Sequence, residues 1–167
     1  MNITRFQTHD DYMTPKSAWE AIRHLIPKDK VIWEPFYGDG KSGQYLKELG
    51  FEVIHEPIDF YTEDRGDIIV SNPPFSDVKQ VVQRLRKLNK PWILLMPVQK
   101  LSTNYFREAF VTEGDDKLQL VIPYERVQFT KIEKGEVVNT KTKCPFDCYY
   151  YFYDCKLPNN AMWLSGP

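Results

Sequence analysis

The sequence predicts an α/β fold: a mostly parallel central sheet with helices on both faces and an antiparallel C-terminal part. Three observations lead there. Over the first two thirds of the chain, apolar runs of strand length alternate with segments whose apolar residues recur at helical spacing. The last third carries short runs flanking a Glu133-Lys134-Gly135 turn and then an aromatic run, the pattern of antiparallel pairing. Finally, 167 residues at 42% hydrophobic and 27% charged make one domain, 1–167, able to bury a core without a disulfide or metal staple.

The elements follow in order. Thr14 offers a capping hydroxyl and Pro15 a first helical position, and Trp19, Ile22 and Ile26 repeat at helical spacing, so 15–26 reads as an amphipathic helix. Residues 31–33 form a short buried strand ending at Glu34-Pro35. After a glycine-bearing loop, 42–49 reads as a helix and 51–54 as a second strand. Residues 68–70 are a third strand. A helix follows over 77–88, apolar at Val78, Val81, Val82, Leu85 and Leu88, and 92–96 is a fourth strand. A helix over 104–111 leads to a strand at 118–122. Segments 127–132 and 136–139 flank the turn, and 148–153 is an aromatic, central strand. The stretch between the second and third strands is too short for an ordinary crossover helix, which is expected to be absent or vestigial.

Charge and cysteine usage exclude several classes. Lys and Arg number 22 against 23 Asp and Glu, a net charge of −1, so the chain is no polybasic nucleic-acid tail, and any charged partner meets a local patch. Cys144, Cys148 and Cys155 are odd in number and lack a paired CxxC or a neighbouring His. They read as reduced thiols of an intracellular protein, with no metal site expected. His9, His24 and His55 share no motif. The N-terminus has no apolar signal region and no run is long enough to span a bilayer, so the expected location is cytoplasmic, away from membranes.

Two constellations carry chemistry. Glu34-Pro35-Phe36-Tyr37-Gly38-Asp39-Gly40 joins a strand to a helix, where glycines let a ligand approach the backbone and the helix N-terminus favours an anionic group. Ser71-Asn72-Pro73-Pro74-Phe75 follows an apolar strand, at the carboxyl edge where α/β folds bind ligands. Its two prolines hold the backbone extended and remove two N–H donors, leaving carbonyls as acceptors. Asn72 adds a side-chain carbonyl and Phe75 a stacking face.

This ordered pair, preceded by Tyr12-Met13-Thr14-Pro15, resembles the signature of S-adenosylmethionine-dependent amino-methyltransferases, above all the adenine-N6 DNA methyltransferases in a minimal form. The likeness is strong over 10–76 and loose to 154. It implies a Rossmann-like class I methyltransferase fold and S-adenosyl-L-methionine as cofactor. It further implies that Asn72 and the Pro73 main-chain carbonyl, within Asn72-Pro73-Pro74-Phe75, grip the two hydrogens of an exocyclic amine and aim its lone pair at the methyl donor. Phe75 would stack on a base that is flipped from a duplex or presented single-stranded.

Cofactor positions carry over likewise. The resemblance implies that Tyr12, Thr14, Pro15 and Glu34, with Pro35, Phe36, Gly38, Asp39 and Gly40, hold the methionine part. It implies an acid for the ribose and an acid–aromatic pair for the adenine ring, roles met by Glu56 and by Asp59-Phe60, crowded close together in sequence. The division between Glu56 and Asp59 stays open. Phe129 or Phe146 is the candidate to close over the target base, with a core role the alternative for each.

The stretch 78–100 holds six basic residues, Lys79, Arg84, Arg86, Lys87, Lys90 and Lys100, and no acid, whereas 51–67 holds six acids and one Arg. Such polarity suits phosphates beside the Asn72 loop, Lys100 best and Lys79 next, though a solvated helix face explains most of the run equally well. The expected partner is adenine-containing DNA. RNA adenine, a protein glutamine amide, or a noncatalytic partner subunit are the competing readings. With no residues left for a separate target-recognition domain, specificity falls to the loops around 97–103 and 123–147, to a homodimer or to a partner subunit.

Overall fold

The computed structural model describes residues 12–38, 40–111, 117–133, 136–138 and 147–166. Asp39, Phe146 and Cys144 lie outside these. In chain order the elements are β1 (Tyr12–Met13), α1 (Lys16–Glu20), β2 (Ile32–Trp33), α2 (Lys41–Glu48), β3 (Val53–Ile54), β4 (Ile68–Ser71) and α3 (Val78–Leu88). Then come β5 (Trp92–Pro97), α4 (Asn104–Phe110), β6 (Leu118–Ile122), β7 (Thr130–Glu133), β8 (Glu136–Val138), β9 (Cys148–Tyr153) and β10 (Ala161–Trp163).

Among the described residues, seven strands form one sheet in the order β10-β6-β9-β5-β4-β2-β3. β3, β2, β4 and β5 are parallel, β9 inserts antiparallel between β5 and β6, and β10 is parallel to β6. This is the doubly wound, Rossmann-like arrangement expected, with the antiparallel C-terminal part supplied by β9. β3 and β4 flank β2 rather than pairing with each other, so the chain order reverses across β2 and β4. That reversal creates a crevice at the carboxyl ends of the two strands. The connection from β3 to β4 contains turns and no helix, as its length required.

Two cores lie on opposite faces. Trp19, Ile22, Leu46, Ile93 and Phe152 fill one beside α1 and α2. Trp33, Val81, Leu85, Trp92 and Phe106 fill the other beside α3 and α4. α3 buries Val78, Val81, Val82 and Leu85, the stripe that its spacing predicted.

Three elements differ from expectation. The helix foreseen over 15–26 stops at Glu20 and resumes as a 3-10 turn, Arg23–Leu25. Ile26 precedes Pro27 and adopts the extended backbone (φ −82°, ψ 126°) that a following proline imposes. The tighter turn still buries Trp19, Ile22 and Ile26. Thr14 does not cap this helix: Pro15 occupies the N-cap, and its carbonyl accepts from Ala18 N at 3.1 Å. The third difference is a small antiparallel sheet, β1-β7-β8, in which Met13 pairs with Thr130. Two residues are too few for periodicity to reveal a strand, and three-residue β10 escaped for the same reason. No helix among the described residues is long and apolar enough to cross a membrane.

Candidate active site

Three chain segments meet at the crevice: the turn after β2, the loop after β4 and the Tyr12–Pro15 element. The turn 36–40 takes the shape that its glycines permit. Gly38 (φ +55°) and Gly40 (φ +81°) both lie in the left-handed region, and Gly40 is the N-cap of α2, with no side chain capping it. Gly40 N donates to the Tyr37 carbonyl at 2.8 Å, and a helix start of this kind favours an anionic group. Met13 Sδ stands 3.5 Å from where a Cβ on Gly38 would be, which sets β1 against the turn. Thr14 is buried and Pro15 half-buried beside it.

Glu34 is the hub beneath these segments. The side chain is 1% exposed, and its carboxyl group accepts from Ser71 Oγ at 2.5 Å, Phe36 N at 3.0 Å and Ser42 Oγ at 3.2 Å. Trp19 Nε1 donates to Ser42 Oγ at 2.9 Å, and the Glu34 main-chain carbonyl lies 3.0 Å from His55 Nδ1. One residue therefore binds the ends of β2 and β4 and the start of α2 together. Burial pushes its pKa up to about 8, against the opposing pull of the Ser71, Phe36 and Ser42 donors. Glu34 is thus a clamp under the site, and its carboxyl group is spent on the protein itself. Pro35 is buried and Phe36 half-buried above it.

The loop after β4 shows the inverse arrangement. Asn72 Oδ1 is buried and, among the described residues, has no donor. No described group donates to the Pro73 carbonyl either, whereas the Pro74 carbonyl accepts from Asp77 N at 3.1 Å in the 3-10 turn Phe75–Asp77. An orphaned buried acceptor costs roughly 1–3 kcal/mol, so its retention at a crevice points to a ligand that donates there.

The aromatic candidates are closed on one another. Phe75 is 7% exposed and Phe129 9%, their rings meeting edge-to-face at 6.2 Å. Phe60 is core: it is 1% exposed, with Trp33, Phe36 and Tyr61 at 5.7, 5.1 and 5.3 Å between centroids. Its expected contact with a cofactor ring is therefore not available, because those neighbours cover it. Asp59 Oδ1 accepts from Tyr61 N at 2.9 Å, as the cap of a turn. Glu56, just beyond β3, is exposed, and among the described residues nothing donates to its carboxylate.

The basic stretch divides in two. Arg84 donates to the carbonyls of Phe60 and Glu63, Arg86 to those of Glu108 and Ala109, and Lys90 to the Arg65 and Gly66 carbonyls and the Asp64 carboxylate. These three fasten loops to the fold. Lys87 sits in the last turn of α3, at the sheet edge opposite the crevice. Lys79, exposed in the first turn of α3, and half-buried Lys100, just beyond β5, remain at the crevice edge.

Sequence reasoning assigned no role to Ser71, Ser42 or His55. Ser71 was legible as a polar residue closing an apolar strand, and Ser42 lies in a helix's first turn. His55 carries no local signal. Its ring stacks on Tyr37 at 4.8 Å, and a Cβ on Gly43 would fall 2.1 Å from His55 Cγ, so only glycine lets α2 pass this close. Among the described residues no group of His, Cys, Asp and Glu could hold a metal, and Cys148 is buried and Cys155 half-buried.

No protein-family model matches the chain, and no curated protein sequence matches it. Three solved structures are similar in fold. A candidate class I S-adenosylmethionine-dependent methyltransferase from Listeria monocytogenes has TM-score 0.48 and 11% identity, over 96% of this chain and 67% of that one. A candidate RNA methyltransferase from Pyrococcus horikoshii has TM-score 0.46 and 14% identity, over 92% and 91%. The tRNA (m1A58) methyltransferase TrmI from Aquifex aeolicus has TM-score 0.40 and 15% identity, over 89% and 72%.

Proposed function

We propose that this chain transfers a methyl group from S-adenosyl-L-methionine to an exocyclic amine, with the 6-amino group of adenine in DNA as its substrate. The observation that carries the reading is the pair of free acceptors at the crevice, Asn72 Oδ1 and the Pro73 carbonyl, flanked by prolines that offer no competing donor. An adenine amine delocalises its lone pair into the ring. Two acceptors drawing on its two hydrogens make the nitrogen more tetrahedral and restore its nucleophilicity. Once methylated, the nitrogen is acidic enough to release its extra proton to these acceptors or to water, so no strong general base is required.

The cofactor supplies an electrophilic methyl group when bound. The residues of the crevice fit it: left-handed Gly38 and Gly40 with the uncapped start of α2 suit its carboxylate, and the Tyr12–Pro15 element covers the same turn. Glu56 is the acid for the ribose hydroxyls, because Asp59 already caps a turn. Lys79 and Lys100 supply phosphate contacts.

A labelled-methyl transfer assay offering plasmid DNA, single-stranded DNA, RNA and protein in parallel tests this, with the product nucleoside identified by mass spectrometry. N6-methyladenine in DNA is the expected product; label in RNA or protein alone moves the substrate, and label in none contradicts the activity. By calorimetry, Glu56→Ala weakens S-adenosylhomocysteine binding about tenfold, the scale of one lost charge-assisted contact. Asp59→Ala acts mainly on thermal stability. Equal losses of affinity in both variants would reject that division of roles.

A further inference from the structure

Two large aromatic side chains stand in water at the crevice edge of the sheet. Trp163, the last residue of β10, is 73% exposed, and Tyr124, just beyond β6, is 62% exposed. β6 runs antiparallel to β9 and β9 antiparallel to β5, so β6 and β10 point the same way as β4 and β5. Their C-terminal ends therefore share the edge that carries Asn72 and Lys100. Trp163 pairs with Ile122, two residues along from Leu120, which sets it on the α3 and α4 side. The Tyr124 ring rests on Gly166, where a Cβ would fall 2.7 Å from the ring.

Neither ring fills the core, and leaving so much aromatic surface in water forfeits burial energy at about 25 cal/mol per Å². Flat rings presented singly, on the same sheet edge as Lys100, suit a ligand with π faces and negative charge. A second copy is the poorer occupant. β10 offers three residues of edge, and two rings fall short of the roughly 800 Å² per partner that a stable interface buries.

We propose that Trp163 and Tyr124 form a stacking platform for unpaired bases flanking the target, so that the preferred substrate is single-stranded nucleic acid. The inference rests on reading Asn72 as the holder of a nucleobase amine, and it specifies the form in which that base arrives. Four strand spacings of about 4.8 Å separate β4 from β10, roughly 19 Å, a span that a few nucleotides cover. Lys100, beyond β5, lies along that line to meet a phosphate. Arg126 does not serve, being paired with Asp147 at 3.0 Å.

The test is fluorescence anisotropy of the full chain with a labelled oligothymidylate of about a dozen residues, which lacks the adenine amine and so reports the platform apart from the Asn72 site. Trp163→Ala weakens binding about tenfold, Tyr124→Ala less, Trp163→Phe restores most of the affinity, and Lys87→Ala, exposed at the opposite edge of the sheet, leaves it unchanged. Unchanged affinity in Trp163→Ala, tighter binding of a duplex of equal length, or a dimer in sedimentation that Trp163→Ala dissolves would each overturn the platform. The two readings fail separately. Trp163-dependent binding without methyl transfer to any adenine keeps the platform and rejects the Asn72 chemistry, whereas transfer with Trp163-independent binding does the reverse.

Discussion

Glu34 shows how one buried side chain can hold three segments of a site together. Its carboxyl group gathers two hydroxyls and a backbone N–H in a pocket closed to water, and burial raises its pKa to about 8. The neutral acid keeps one proton to donate, so a hydroxyl partner can turn to accept it. The unfolded chain releases that proton near the ordinary glutamate value and the folded chain only near 8. Between those values the folded state binds more protons, so stability falls as pH rises and this contribution is gone above about 8. Glu34→Gln, close in shape and uncharged, flattens that slope. Melting temperatures from about pH 5 to about pH 8.5 check it: the wild type loses ground to the variant as pH rises, and parallel profiles would refute the buried neutral acid. At this scale much was legible. The left-handed turn at Gly38 and Gly40 was readable because its conformation is carried by local sequence. The burial of Phe60 was not readable, because it depends on Trp33 and Phe36, contacts that spacing alone does not show.

Among the elements, α3 separates structure from recognition. Its basic residues looked like one phosphate-binding face, yet Arg84 and Arg86 are spent on carbonyls of neighbouring segments. Within the 78–100 stretch, the start of α3 and the 3-10 turn after β5 bring Lys79 and Lys100 to the crevice edge. Lys100→Ala should therefore lower the slope of log affinity for DNA against log salt by about one, whereas Lys87→Ala leaves it unaltered. Titrations at several salt concentrations decide it, and equal slopes in both variants would show that charge position along α3 is immaterial. Strands β2, β4, β5, β6 and β9 were readable because each is a compact apolar run. β1, β7 and β8 were not recognised as one sheet because their pairing joins residues far apart in sequence. That sheet ties Met13, beside the glycine turn, to Thr130, next to Phe129, so the two halves of the crevice share one support.

Across the whole molecule, the economy of the chain is visible in its connections. The β3–β4 crossing has lost its helix, and the loop that replaces it is held by Arg84 and Lys90. The reversal of strand order at β2 and β4 then sets the glycine turn and the Asn72 loop side by side with Glu34 as their common anchor. The α/β class and the position of the crevice followed from alternating periodicity and two loop motifs. The orphaned state of Asn72 Oδ1 and the exposure of Trp163 did not, since both depend on how the folded chain covers them. In the proposed reaction Asn72 serves the reacting amine alone. Transfer assays and S-adenosylhomocysteine calorimetry on Asn72→Ala measure it most directly. Transfer is expected to fall at least about a hundredfold, the scale of one lost transition-state hydrogen bond, with cofactor affinity nearly intact. Retained turnover in Asn72→Ala would contradict it.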